Sequence, residues 1–406
     1  MTRAGRTITI AAAIITALLI TAVLVLVTMY PAEYLRRLVT YGESDVYDYQ
    51  IFPERVVQPS PDPIPFDPSP NPAADEAKVR AWFEADPLVG GDLDAFFERT
   101  STQALIVIEG NTIIYEAYAP GMQRDSIVTS FSAAKSFVST LVGIAIMEGK
   151  IGSIDDPITR YLPELLERDP RFEQITIRHL VDMNSGIKYV ENGFVNGDDA
   201  LTYYYPDLRA LALEQTRITG TPGAEWLYNN YHPLLLGLIL ERTTGVPVAQ
   251  YLEEKLWQPM GAEYPASWSL DSAETAFEKM ESGINARAID FAKLGRLYSN
   301  GGSMHKEQFV PPDWIQQATR MDPTIDRASY YPDWMDQPYG RVTHQHLWWG
   351  IQRPDGSYGY TAAGNFGQYI FVDPAKHLII VRNGEQYGIE FTAWFGLLMA
   401  VAGRAE

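Results

Sequence analysis

Ser132 and Lys135 stand three residues apart at the head of a stretch, 131–147, that is otherwise almost wholly apolar. One helical turn brings the serine hydroxyl and the lysine amine to the same face, within reach of each other. Burying an unpaired ammonium is costly or forces the lysine to release its proton, and a neutral amine beside a hydroxyl is what activates an oxygen nucleophile. A second chemical group stands at Tyr228-Asn229-Asn230, ahead of an apolar helix predicted over 233–240. Where a fold sets a phenol beside an amine and a hydroxyl, it can relay protons, provided its surroundings hold its pKa below the ordinary value of about 10. The amide of Asn230 can orient the lysine or a substrate. S-x-x-K is a short pattern that long chains contain by chance, so its meaning depends on these partners.

Composition narrows the chemistry. With 406 residues, 46% hydrophobic and 12% aromatic, the chain can bury one large core or two moderate ones. A formal charge of −19 repels nucleic acid and anionic headgroups, so no nucleic-acid partner is expected. The absence of cysteine removes thiol nucleophiles, disulfides and thiolate zinc sites. His344 and His346 form the one close histidine pair; on a strand they would share a face and could hold a metal, but H-E-x-x-H is missing and neither metal nor cofactor is expected.

Residues 8–29 form an uncharged apolar run, long enough at about 1.5 Å per residue to cross a hydrocarbon core of about 30 Å. It reads as an uncleaved transmembrane helix, because the run leads into Met29-Tyr30-Pro31 rather than a small-x-small cleavage site. Arg3, Arg6 and the terminal amine nearly balance Arg36 and Arg37; the expected orientation is a cytoplasmic N-terminus with the folded domain exported to the periplasmic or extracellular side. The chain therefore divides into a short tail (1–7), a bilayer anchor (8–29), a Pro-rich linker (30–74) and one folded domain (75–406). The aromatic residues Tyr47, Tyr49, Phe52 and Phe66 imply that parts of the linker lie on that domain.

Within the domain, 75–84 and 93–99 are predicted helices, and 104–109 with 112–118 an antiparallel hairpin around Gly110-Asn111. The helix from 132 to 148 is apolar on all sides, which predicts burial, and Gly149 ends it. Helical patterns over 179–183, 208–214, 233–243, 248–256 and 288–298 make the middle third mainly α. Strands return over 347–352, 368–372 and 377–381, and a last apolar helix over 389–401 is predicted to pack on the completed sheet.

With these elements in this order the chain resembles the penicillin-recognising serine hydrolases, a group that includes class C β-lactamases, DD-peptidases, β-lactamase-like esterases and 6-aminohexanoate-oligomer hydrolases. The resemblance rests on Ser132-Ala-Ala-Lys135, on 149–157 and 176–186, on Tyr228-Asn-Asn230 and on 285–295. It implies an α+β fold, an antiparallel sheet flanked by helices with an inserted mainly α-helical subdomain. It also implies an acyl-enzyme on Ser132, with Lys135 and Tyr228 moving its proton and the backbone N–H groups of Ser132 and Asn365 forming the oxyanion hole.

Substrate contacts are expected from Asn230, from Gly364, which would let its strand approach a bound acyl group, and from Tyr189 at the cleft. One element departs from the antibiotic-handling members: Ala362-Ala363-Gly364 replaces K-T-G, with alanine in place of the lysine. That lysine helps hold a substrate carboxylate by a charge-assisted hydrogen bond worth about 1.5 to 3 kcal/mol. The expected substrate is thus a small amide or ester; β-lactamase or DD-peptidase activity, or a non-catalytic binding role, are the alternatives.

Overall fold

The β-branched runs on either side of Gly110-Asn111 pair as an antiparallel hairpin, Thr102–Glu109 with Thr112–Tyr118. This computed structural model describes residues 14–18, 20–21, 24–191, 193, 195–304, 307–320 and 336–405. Leu378–Gly384 pairs with Thr102–Glu109, so the hairpin and the C-terminal strands close one sheet. From that seam the strands continue outward as Gln368–Asp373, Tyr358–Gly364, Trp348–Gln352, Gly340–Gln345 and Asp336–Gln337. Asp67–Pro68 lies parallel to Thr112-Ile113 on the opposite edge and completes nine strands among the described residues.

Strand alternation divides the sheet's two faces. Ile370 and Val372 turn toward the Ala288–Ser299 helix, whose Gly295 would bring an added Cβ to 2.8 Å from an Ile379 methyl. Tyr369 faces the other way, against Trp394 and Phe395 of the C-terminal helix Phe391–Arg404. Cover on both sides explains why strands such as Leu378–Gly384 are continuously buried.

The helical subdomain is built around Ala134–Met147, buried from Ala134 to Ala145 and packed against Tyr231–Thr244. A fully buried Phe, Val or Leu is worth about 1.5 to 3 kcal/mol, so Phe137, Val138, Leu141 and Val142 together offset the cost of carrying Lys135 inside. Gly149, at a φ of 70°, stops the helix in the left-handed conformation. The α+β architecture expected from the sequence, with its inserted helical part, is the one observed.

A second sheet, of four short strands, was not legible: Glu54–Val57, Ala266–Ser269, Ile284–Ala286 and Val128–Thr129, in that spatial order. The Pro-rich stretch supplies its edge strand, and also the edge strand Asp67–Pro68 of the large sheet. Edges are where a chain lacking proline N–H groups can still pair. Ahead of them, the helix Ala32–Tyr41 lays Tyr34 on residues 195–205, with its hydroxyl donating to the Val195 carbonyl at 2.7 Å.

Of the segment 8–29, residues 8–13, 19, 22 and 23 lie outside the described residues, and 14–18, 20–21 and 24–29 are helical. Ile14, Ile15, Leu18, Ile20, Leu24, Val25, Val27 and Met29 are all exposed. Among the described residues no helix is long and apolar enough to cross a membrane.

Candidate active site

Ser132 sits where a tight 3-10 turn, Phe131–Ala133, opens into the central helix. Phe131 has a φ of 42°, a left-handed conformation that a bulky residue keeps only when its surroundings hold it. They do so from two sides. The Ser130 N–H donates to the Ile284 carbonyl at 2.8 Å, and the Ile284 N–H donates to Ser130 Oγ at 3.2 Å. Opposite, Gly364 presses its strand against the turn: an added Cβ would run into the Ser130 carbonyl and lie 2.9 Å from the Ser132 nitrogen. The missing side chain thus lets this strand meet the nucleophile's backbone. Gly364→Ala is expected to lower kcat for a small ester by about 10²-fold, since displacements near 1 Å carry that cost; steady-state kinetics with a melting curve check it.

Lys135 Nζ lies 2.8 Å from Ser132 Oγ and donates to the Glu281 carbonyl at 2.8 Å. Ser132 is half-buried and reachable, while Lys135 is only 1% exposed. Burial pushes the amine down to about 7, against the opposing pull of the Glu281 and Glu191 carboxylates. Near neutral pH a large share of Lys135 is therefore the free amine that can take the Ser132 proton. The amine also stands 4.9 Å from the centre of the Tyr228 ring, which brings the three groups singled out from the sequence into one neighbourhood.

Tyr228 is fixed from behind by Trp349, stacked at 6.0 Å, and by the edge of His344 at 5.8 Å. Asn230 is held through its amide nitrogen: Nδ2 donates to the Tyr189 hydroxyl at 2.7 Å and to Thr202 Oγ1 at 3.2 Å. It thereby joins Tyr189 to Thr202. Tyr189 itself is buried, its ring edge-on to Tyr231 and its hydroxyl accepting from Asn230.

Asn365 opens a tight turn closed by the Gly367 N–H on the Gly364 carbonyl at 3.2 Å, with Phe366 at a φ of 61° and Gly367 at 81°. Because Gly364 abuts the Ser132 nitrogen, the start of this turn and the amide end of the central helix adjoin, and helix N-termini favour negative charge. Two buried residues brace the turn. Gln368 donates to the Asn365 carbonyl at 3.1 Å and the Gly384 carbonyl at 2.6 Å. Arg382 donates to the Phe366 and Gly367 carbonyls at 2.7 and 2.8 Å, to those of Thr100 and Gln386, and to Thr102 Oγ1. Burial lowers its pKa to about 10, which leaves it cationic at neutral pH. Sequence reasoning passed over Arg382, although a charge directly after the apolar run 378–381 is the same kind of signal that marked Lys135.

The histidine pair separates. The strand Gly340–Gln345 ends before His346, which has a φ of 46°, and His346 Nδ1 meets Asp182 at 2.8 Å while His344 stays beside Tyr228. Among the described residues no group of three or more candidate ligands could hold a metal.

Comparison with known proteins places this geometry. The chain is 26% identical over 325 residues to the 6-aminohexanoate-dimer hydrolase of Paenarthrobacter ureafaciens, covering 75% of this chain and 78% of that one. A solved Bacillus anthracis protein assigned as a 6-aminohexanoate-dimer hydrolase superposes with a TM-score of 0.72 at 21% identity, over 89% of this chain and 92% of its own. A class C β-lactamase superposes with a TM-score of 0.57 at 16% identity, over 82% of this chain and 98% of its own. The beta-lactamase family model matches residues 93–385, a span that holds Ser132, Lys135, Tyr228 and Asn365. The chain therefore belongs to the beta-lactamase family, a family of serine hydrolases.

Proposed function

We propose that this hydrolase cleaves a small amide or ester through an acyl-enzyme on Ser132, and that residues 8–29 anchor it in a bilayer with the catalytic domain exported. The observation that carries the chemistry is the buried Lys135 amine 2.8 Å from the reachable Ser132 hydroxyl. As the Ser132 oxygen bonds to the substrate carbonyl carbon, its proton passes to Lys135, with Tyr228 as the neighbouring relay. The carbonyl oxygen takes up negative charge opposite the Ser132 and Asn365 N–H groups. The proton then goes to the departing amine or alcohol as its bond breaks, leaving the acyl-serine. Water, giving a proton back along the same groups, attacks the ester and frees Ser132 and the acid.

The small, buried Ala362 supplies no cation for a penicillin-type carboxylate, which favours neutral amides and esters. Exposed apolar side chains between Ile14 and Met29 favour the anchor, because a surface of that kind needs cover. A panel of p-nitrophenyl esters, short amino-acid oligomers and nitrocefin tests the substrate class. Ester or oligomer turnover should exceed nitrocefin turnover by at least about tenfold in kcat/KM, the value of the missing charge-assisted bond. The reverse order would restore the β-lactamase reading. No turnover together with no fluorophosphonate labelling of Ser132 would leave a binding protein.

A further inference from the structure

We propose that the buried Lys279–Glu281 ion pair positions and tunes Lys135, and that Phe52 of the N-terminal segment holds this pair in place. The proposal rests on the reading of Ser132 and Lys135 given above and adds residues that do not themselves touch a substrate. Lys279 and Glu281 are 1% and 2% exposed, with Nζ and Oε1 at 3.1 Å. The backbone carbonyl of the same Glu281 receives Lys135 Nζ. Any shift of the pair therefore moves the atom that anchors the lysine.

A buried pair of charges is expensive unless its surroundings fix its geometry. Here they are aromatic. Lys279 Nζ lies 4.5 Å from the centre of the Phe52 ring and 4.0 Å from that of Tyr203, and it donates to the Tyr203 carbonyl. Phe52 meets Tyr203 edge-on at 5.7 Å, and the Tyr203 hydroxyl donates to Asp48 at 2.9 Å. Tyr203 in turn lies parallel to Phe131 at 6.4 Å, next to the nucleophile. Residues 48–52, ahead of the 93–385 span matched to the family, thus reach Lys135 through Lys279 and Glu281, and Ser132 through Tyr203 and Phe131.

The charges around each member decide the direction of the effect. Lys135 faces Glu281, Glu191 and the ring of Tyr228. Glu281 faces Lys279 and the Ser282 hydroxyl, and Lys279 also feels Arg37, Asp48 and Asp271. The Glu281 carboxylate makes Lys135 harder to deprotonate, and Lys279 offsets that pull. Without Lys279 the uncompensated carboxylate raises the proton affinity of Lys135; without Glu281 the uncompensated Lys279 ammonium lowers it.

The full chain, assayed on a p-nitrophenyl ester, tests this through the acid limb of kcat/KM. Lys279→Met should move the limb up by about one pH unit and Glu281→Gln down by about one, the scale of a nearby charge. Phe52→Ala should follow Lys279→Met in direction, with kcat reduced about tenfold by misplacement, and Phe52→Tyr should restore the wild-type profile. A merely structural role predicts lower melting temperatures with the limb in place, or both charge variants shifting the same way; either result overturns the proposal. If either charge variant unfolds, the Phe52 pair carries the test, and equal profiles for Phe52→Ala and wild type reject it. Fluorophosphonate labelling separates the two levels of failure: an unlabelled wild-type Ser132 sinks the acyl-enzyme reading, whereas a labelled one with unmoved limbs sinks only this proposal.

Discussion

Ser132→Ala is expected to fold and melt as the parent does while losing about 10⁴-fold or more of its turnover of a small ester, as when a nucleophile is removed from an activated constellation. The side chain can be spared structurally because its contact to Lys135 is made at the reachable end of the helix. The turn is held instead by backbone bonds between Ser130 and Ile284 and by the press of Gly364. Intact-mass analysis after fluorophosphonate treatment should show one adduct on the parent and none on the variant. Undiminished turnover would put the chemistry at another residue.

Lys135→Met is expected to cost about 10³-fold in kcat/KM, within the usual range for a general base, and to erase the acid limb. In the parent, kcat/KM should rise with pH through about 7, where the buried amine gives up its proton. The same group leaves a mark on stability. Its folded pKa of about 7 lies below the ordinary lysine value of 10.5, so between them the unfolded chain binds more protons and stability rises with pH. The methionine variant removes that contribution. Melting curves at pH 7 and pH 9 should therefore differ less for Lys135→Met than for the parent, and equal slopes would mean that Lys135 is not depressed.

How far the site could be read in advance varied by residue. Lys135 betrayed itself because a charge in an apolar helix needs a reason, and Gly149 and the hairpin turn at Gly110-Asn111 announced the ends of their elements. The strands 104–109, 112–118 and 368–372 were legible through their β-branched and aromatic content. Tyr358–Gly364 had no strand pattern of its own, and only the resemblance put Gly364 on a strand: glycine and alanine pack there because helices and neighbouring strands cover it. The bonds from Asn230 to Tyr189 and Thr202 had no local signature either, since they join residues 41 and 28 positions apart.

By itself the sequence determined the chemical inventory: a serine and a lysine one turn apart, a phenol further on, no thiol, and alanine where a carboxylate-binding lysine could have stood. It also determined the apolar faces that make an α+β core, because burial of those faces follows from residue type and period. Only the tertiary structure decided which groups meet. The Glu281 carbonyl that holds Lys135 is 146 residues away along the chain, and Tyr203 joins Asp48 across 155. Arg382 braces a turn 15 and 16 residues before it and a strand start some 280 earlier. Contacts at such separations form when whole elements pack, and the hydrophobic burial that drives packing is non-directional, so local sequence carries no record of which polar atoms it brings together.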